Sequence, residues 1–194
     1  MSKQSIPIFR FFSVFLFMTV VVEVVGSKMA LKSYSTIPLY NSFTLFEFIF
    51  YLFFFRAIFA DKKMKSRLNK AIIFYLVCGV LNLLFVQKKG FHSYTYVLGS
   101  VLIVIFSIAY FYHLFRFPDT GSLVRNPFFW IVVGLLFYYT SSVSLYGLQN
   151  FITNTLPYYD NVLTITGDFL NVFLYTLFSI GFLCKSNMPK LSGL

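Results

Sequence analysis

Six apolar segments, each close to the length that crosses a bilayer, dominate this chain. A bilayer's hydrocarbon core is about 30 Å thick and requires about 20 helical residues. Runs such as FEFIFYLFFF and VLIVIFSIAYFY are apolar at all but one position each, whereas strands of a transmembrane barrel alternate between polar and apolar residues. We therefore predict an all-α fold, a polytopic membrane helical bundle forming a single domain over 1–194. The six predicted transmembrane helices span about 8–25, 39–59, 71–86, 95–115, 128–148 and 162–184.

The composition excludes the main alternatives to a membrane protein. Hydrophobic residues make up 58% of the chain and charged residues 11%, against about 25% charged residues in an average soluble domain. A soluble domain of 194 residues cannot bury that much apolar side chain. A disordered chain needs the opposite composition, and two cysteines are too few for a disulfide scaffold.

The first predicted span has some features of a signal peptide. Lys3 and Arg10 accompany the start of its apolar run, and small residues follow at Gly26 and Ser27. The run is long, however, it contains Glu23, and no A-x-A-like cleavage site follows it. We therefore expect this segment to be retained as the first transmembrane helix.

Lysine and arginine are distributed unequally between alternate loops. On one side, the N-terminus has two, the segment 56–70 has six, the loop after the fourth span has two, and the C-terminus has two. The other side has four, in two pairs. Because cytoplasmic loops carry the excess of these residues, we predict a multi-pass protein of the inner (plasma) membrane with both termini cytoplasmic. The net charge of +10 therefore does not imply nucleic-acid binding. It fits contact with anionic lipid headgroups of the bilayer.

Polar residues within the predicted spans recur at helical spacing. Tyr40, Thr44, Glu47 and Tyr51 are spaced by 4, 3 and 4, and the sixth span has a similar stripe through Asp168. Such spacing places side chains on one helix face, and ionisable groups are costly in hydrocarbon. We therefore expect both stripes to face the bundle interior, with Glu47 opposite Asp168. The candidate ligand-binding residues are Glu23, Asn41, Glu47, Asn82, Tyr96, Ser142, Asp168 and Asn171.

The depth of these residues favours a cavity rather than a channel. In the predicted topology nearly all strongly polar membrane residues lie in the outer half, which indicates a cup open to the outside. Two other interpretations stay open: interhelical hydrogen bonding, worth about 0.6 kcal/mol per contact, and a proton relay.

Catalysis has little support in the sequence. His92 and His113 lie near opposite membrane faces in the predicted topology, and the sequence contains no HExxH, G-x-S-x-G or glycine-rich phosphate loop. Cys78 and Cys184 lie at different depths and have no metal-ligating neighbours in the sequence. We predict no catalytic residues, no metal site and no cofactor.

Three stretches carry a resemblance to a known group. They are LYNSFTLFEFIFYLFFF (39–55), SYTYVLGSVLIVIFSIAYFY (93–112) and NPFFWIVVGLLFYY (126–139). With Glu23 ahead of them, they resemble a group of small uncharacterised Bacteroidota multi-pass membrane proteins, similar to sensor-like membrane modules. The resemblance extends over most of the chain, and Glu23, Asn41 and Glu47 match the pattern of the group. It implies a sensor-like or accessory role beside signalling proteins such as sensor histidine kinases.

These observations lead to one expected function and two alternatives. We expect a non-enzymatic integral membrane protein, a sensor or accessory subunit, that binds a small ligand or lipid in an outward-facing polar cavity. Its basic segment 56–70 would contact a cytoplasmic or membrane signalling partner. The first alternative is a small transporter or channel, with assembly into a homo-oligomer left open. The second is a lipid-modifying membrane enzyme, which the lack of a clustered nucleophile or metal set disfavours.

Overall fold

The computed structural model describes residues 5–87, 90–116, 123–147 and 160–186. All regular secondary structure in these ranges is helical. The chain divides into two compact units, Met1–Gly99 and Ser100–Leu194. The described helices are α1 (Ser5–Leu31), α2 (Ile37–Ile58), α3 (Lys62–Leu81), α4 (Ser93–Arg116), α5 (Pro127–Gly147) and α6 (Asp160–Ser186).

In the first unit, α1 and α2 pack antiparallel through aromatic side chains. Phe15 stacks on Phe50 with ring centroids 4.0 Å apart, and Phe12 meets Phe54 edge-on at 5.4 Å. Phe12, Phe15 and Phe54 are all buried. Aromatic pairs in offset-stacked or edge-on geometry are worth about 0.5–1.5 kcal/mol beyond their burial, so these rings fix the pairing of the two helices.

The third helix begins well before the predicted span at 71. Asp61 is its N-cap, and the Asp61 carboxylate accepts a hydrogen bond from the Lys63 backbone N–H at 3.0 Å. A side-chain acceptor at the N-cap satisfies one of the unpaired N–H groups of the first turn. The polar segment 62–70 is therefore helical, and only a short stretch separates α2 from α3.

Beyond Leu81, α3 continues as a π-helical turn over Asn82–Val86. Such turns are rare and frequently occur at functional sites. The chain then reverses at Gly90, whose φ of 87° is a conformation that glycine adopts without steric cost. The following segment leads directly into α4, which begins at Ser93.

The second unit is organised around the antiparallel pair α5 and α6. Asn126 precedes α5, and its Oδ1 accepts a hydrogen bond from the Phe128 N–H at 3.0 Å. Pro127 at the first helical position suits this cap, because it has no N–H that needs a partner. Glycines bring the helices close: a Cβ at Gly134 would lie 3.2 Å from Leu174 Cδ1, and one at Gly181 would lie 2.9 Å from the Pro127 carbonyl oxygen.

The prediction of six membrane-spanning helices is confirmed at the level of fold. Six helices of the described ranges are long and apolar enough to cross a membrane, and each overlaps one predicted segment. Most helices extend beyond the predicted limits, most of all at the start of α3 and at the end of α1, whereas α2 and α5 each end one residue earlier. The Tyr40 side chain packs directly over Gly26 of α1.

Candidate ligand pocket

A pocket of about 410 Å³ lies in the first unit, where α2 begins and the π-helical turn ends. Its lining is mixed. Leu45 and Leu83 contribute hydrocarbon surface, whereas Ser35, Asn41 and His92 contribute polar groups. A concave site with an apolar surface and a few convergent polar groups is the usual form of a small-molecule site, so this pocket is the candidate functional site.

Asn41 fixes one wall of the pocket. Its Nδ2 donates to the Gly90 carbonyl oxygen at 3.0 Å, and its Oδ1 accepts from the His92 backbone N–H at 3.0 Å. Asn41 is buried; its bond with the His92 N–H is buried, and its bond with the Gly90 carbonyl is part-buried. One side chain of α2 therefore satisfies two backbone groups of the segment 90–92, where no helix supplies partners.

Asn82 binds residues on both sides of the segment 90–92. Its Nδ2 donates to Thr95 Oγ1 at 2.7 Å and to Gln87 Oε1 at 3.0 Å. Gln87 Oε1 also accepts from the Tyr94 backbone N–H at 3.2 Å. These bonds connect the π-helical turn with the start of α4. The two asparagines thus brace the connection between α3 and α4 from both sides.

Three buried polar atoms of this unit have no hydrogen-bond partner in the described part of the chain. They are Asn82 Oδ1, His92 Nδ1 and Tyr75 Oη. Leaving a polar atom buried and unpaired costs about 1–3 kcal/mol, and such atoms are usually satisfied by water or a ligand. His92 itself lines the pocket and is 5% exposed. A molecule bound in the pocket is therefore the expected hydrogen-bond partner of its Nδ1.

The other candidate residues of the first unit occupy different surroundings. Glu23 is exposed and accepts a hydrogen bond from the Tyr40 hydroxyl at 3.3 Å. Glu47 is half-buried. Tyr96 is buried and meets Phe48 edge-on, with ring centroids 5.5 Å apart.

Of the five predicted site residues in this unit, the lining therefore includes Asn41, and Asn82 adjoins it through Leu83. None of the described lining residues is acidic. The described residues also contain no group of three or more His, Cys, Asp or Glu that could hold a metal ion. This lining suits a neutral or anionic polar group better than a cation.

In the second unit, the polar stripe of α6 lies outside the face of the helix that packs against α5. Ser142 on α5 is fully buried, whereas Asp168 is exposed and Asn171 is half-buried. The buried side of α6 is formed by leucines and Gly181, because close contact with α5 requires small and apolar residues there. The predicted approach of Glu47 to Asp168 joins residues of the two units and stays a prediction.

Sequence reasoning missed Thr95 and Gly90 as parts of the site. Thr95 is buried and accepts the short bond from Asn82, and Gly90 supplies the carbonyl that Asn41 binds. Gly90 lies in a short segment between two apolar runs, which is a signal for a tight reversal of the chain. No sequence pattern indicates that Asn41, 49 positions away, binds this reversal.

Comparisons of the chain with protein-family models, with curated proteins and with solved structures found no match. The resemblance to the Bacteroidota membrane proteins thus stays a prediction. Within its described ranges, the chain is a helical protein with six helices long and apolar enough to cross a membrane and with a pocket of mixed polarity in its first unit.

Proposed function

We propose that this protein is a non-enzymatic multi-pass protein of the inner (plasma) membrane, a sensor-like or accessory subunit that binds a small amphiphile or lipid. The observation that supports this proposal most is the pocket of about 410 Å³ with the buried His92 ring in its wall. Its mixed lining suits a molecule with a polar head and an apolar body.

The position of the pocket along the helices supports an amphiphile. Ile37 at the start of α2 lines the pocket, and the π-helical turn ends nearby at Val86. Both spans that reach the pocket, Ile37–Ile58 with 22 residues and Lys62–Val86 with 25, are long enough to end close to the headgroup region of a bilayer. A polar head would then meet Ser35 and His92 at the membrane surface, and the apolar body would contact Leu45 and Leu83.

We also propose the orientation and the partner surface of the protein. The excess of Lys and Arg at the termini and in 56–70 supports cytoplasmic termini. In that orientation the pocket opens to the outside, and the exposed basic first turns of α3 extend into the cytoplasm. A signalling partner would contact this basic surface and respond when the pocket fills.

Retention of a bound amphiphile tests the proposed pocket. Ser42 lines the pocket, is exposed, and donates its hydroxyl hydrogen bond to the Pro38 carbonyl oxygen at 2.9 Å. We expect Ser42→Phe to fill the pocket without disturbing α2. Protein extracted in mild detergent and measured by native mass spectrometry should carry a bound small molecule in the unmodified form and lose it in Ser42→Phe.

Ser13 offers a matched control. It is exposed on α1 and donates the same kind of bond, to the Phe9 carbonyl oxygen at 2.9 Å, but it does not line the pocket. Ser13→Phe should retain the bound molecule. Equal occupancy in all three proteins, or a bare protein in all three, would contradict the proposed pocket.

A further inference from the structure

A second pocket lies between the first turns of α1 and the last turns of α2, at the opposite end of α2 from the ligand pocket. Its volume is about 360 Å³. A dry apolar cavity of about 150 Å³ already accommodates benzene, so this groove has room for part of a hydrocarbon chain. Its lining is apolar throughout and consists of Ile8, Phe11, Phe50, Phe53, Phe54 and Ala57.

Aromatic contacts join α1 and α2 beside the groove. Phe15 stacks on Phe50 and Phe12 meets Phe54 edge-on, and these contacts fix α1 against α2. Towards the end of α2, Ala57 presents only a methyl group. Its small side chain leaves space that a larger residue would fill, and the helix ends one residue later at Ile58.

Positively charged residues lie close in sequence to the end of α2 that lines the groove. Arg56 follows Phe53 by three residues, and residues at this spacing are neighbours on a helix surface. Arg56 Nε donates to Asn69 Oδ1 at 2.7 Å, which orients the guanidinium while using one of its five N–H donors. Lys62 and Lys63 at the start of α3 are exposed, and the Asp61 carboxylate nearby already accepts the α3 cap bond.

We propose that this groove binds one acyl chain of an anionic phospholipid, whose phosphate is bound by Arg56, Lys62 and Lys63. The apolar lining excludes a polar ligand, and the excess of positive charge at one end of the groove selects an anionic headgroup over a zwitterionic one. Phe50 lies seven residues before Ala57, about 10 Å deeper along the helix axis. An acyl chain that enters at Ala57, at the headgroup level, therefore runs along the groove toward Phe50, which is the direction of an acyl chain in a bilayer.

Quenching by brominated lipid tests this site. The chain has one tryptophan, Trp130, so Trp130→Phe combined with Phe53→Trp places a single fluorophore in the groove. This protein is reconstituted in phosphatidylcholine bilayers with rising fractions of phosphatidylglycerol or phosphatidylcholine that carry brominated chains. We expect half-maximal quenching at a several-fold lower fraction of brominated phosphatidylglycerol than of brominated phosphatidylcholine.

Three variants of this reporter locate the site. Arg56→Gln, and separately Lys62→Gln with Lys63→Gln, should reduce the preference for phosphatidylglycerol, and Ala57→Phe should abolish it by filling the groove. Arg10→Gln is the matched control, because Arg10 is exposed and lies about 200° around α1 from Ile8. It should retain the full preference.

Equal quenching by both lipids would overturn the proposal. So would a preference that persists both in the charge variants and in Ala57→Phe. If Arg56→Gln fails to fold, the variant Lys62→Gln with Lys63→Gln still tests the proposal, because both lysines are exposed.

Discussion

Asn41 binds the His92 backbone N–H through its Oδ1 at 3.0 Å, across 51 positions of sequence. The other end of the same amide binds the Gly90 carbonyl oxygen at 3.0 Å. Because Asn41 and His92 both line the ligand pocket, this contact positions the pocket wall as well as the chain reversal. The integrity of the pocket therefore depends on one buried amide of α2.

Asn41→Leu should destabilise the first unit by about 1–3 kcal/mol, because it leaves the buried His92 backbone N–H without a partner and also removes the bond to the part-buried Gly90 carbonyl. The free energy of unfolding in mixed micelles measures this loss. Asn69→Leu is the control: Asn69 accepts a bond from Arg56, but it is exposed, so water replaces the partner. If Asn41→Leu costs no more than Asn69→Leu, Asn41 does not brace the segment 90–92.

A double-mutant cycle on Asn82 and Thr95 should give a favourable coupling energy of about 0.6 kcal/mol, and at most about 1.7 kcal/mol, the range for side-chain hydrogen bonds within membrane proteins. Asn82→Leu and Thr95→Val remove the two ends of the 2.7 Å bond while retaining much of the shape. Additive losses of unfolding free energy in the double variant would show that this bond contributes nothing to stability.

Two glycines of the first unit should differ in their response to alanine. A Cβ at Gly99 would lie 2.5 Å from Phe48 Cγ, within a fully buried ring, whereas one at Gly79 would lie 2.7 Å from Leu45 Cδ2. The leucine tip can rotate away and the ring cannot. We expect Gly99→Ala to cost about 1–3 kcal/mol, as overpacked sites do, and Gly79→Ala to cost less. The reverse order of thermal stability would contradict the packing between α2 and α4.

The fold can be predicted well from the sequence, because length and apolar character decide whether a helix can cross a bilayer. The segment 95–115 and the helix Ser93–Arg116 agree within two residues at each end. Hydropathy does not predict the start of α3, because it detects apolar stretches and the first turns of this helix are polar. Lys62 is polar, yet the Asp61 cap and helical hydrogen bonds include it in α3.

The candidate site is less predictable than the fold, since spacing identifies a polar face without identifying its neighbour. Asn41 and Asn82 both take part in the network around the reversal. Asp168 belongs to an equally regular stripe but is exposed, because the glycine and leucine face of α6 packs against α5. Close backbone approach thus decides which face of α6 packs against α5, and the prediction that the polar stripe faces the rest of the bundle stays a prediction.

The predicted orientation of the protein rests on the distribution of charge and can be tested with reporters. Twelve of the 16 Lys and Arg residues lie on the side that includes both termini, which predicts cytoplasmic termini. A reporter active only in the periplasm should be silent when fused after Leu194 and active when inserted near Pro157.

Replacing Lys62, Lys63, Lys65 and Arg67 with Gln removes four of the twelve charges and should increase the fraction of misoriented chains. The reverse reporter pattern in the unmodified protein would contradict this topology, and would place the ligand pocket on the cytoplasmic side.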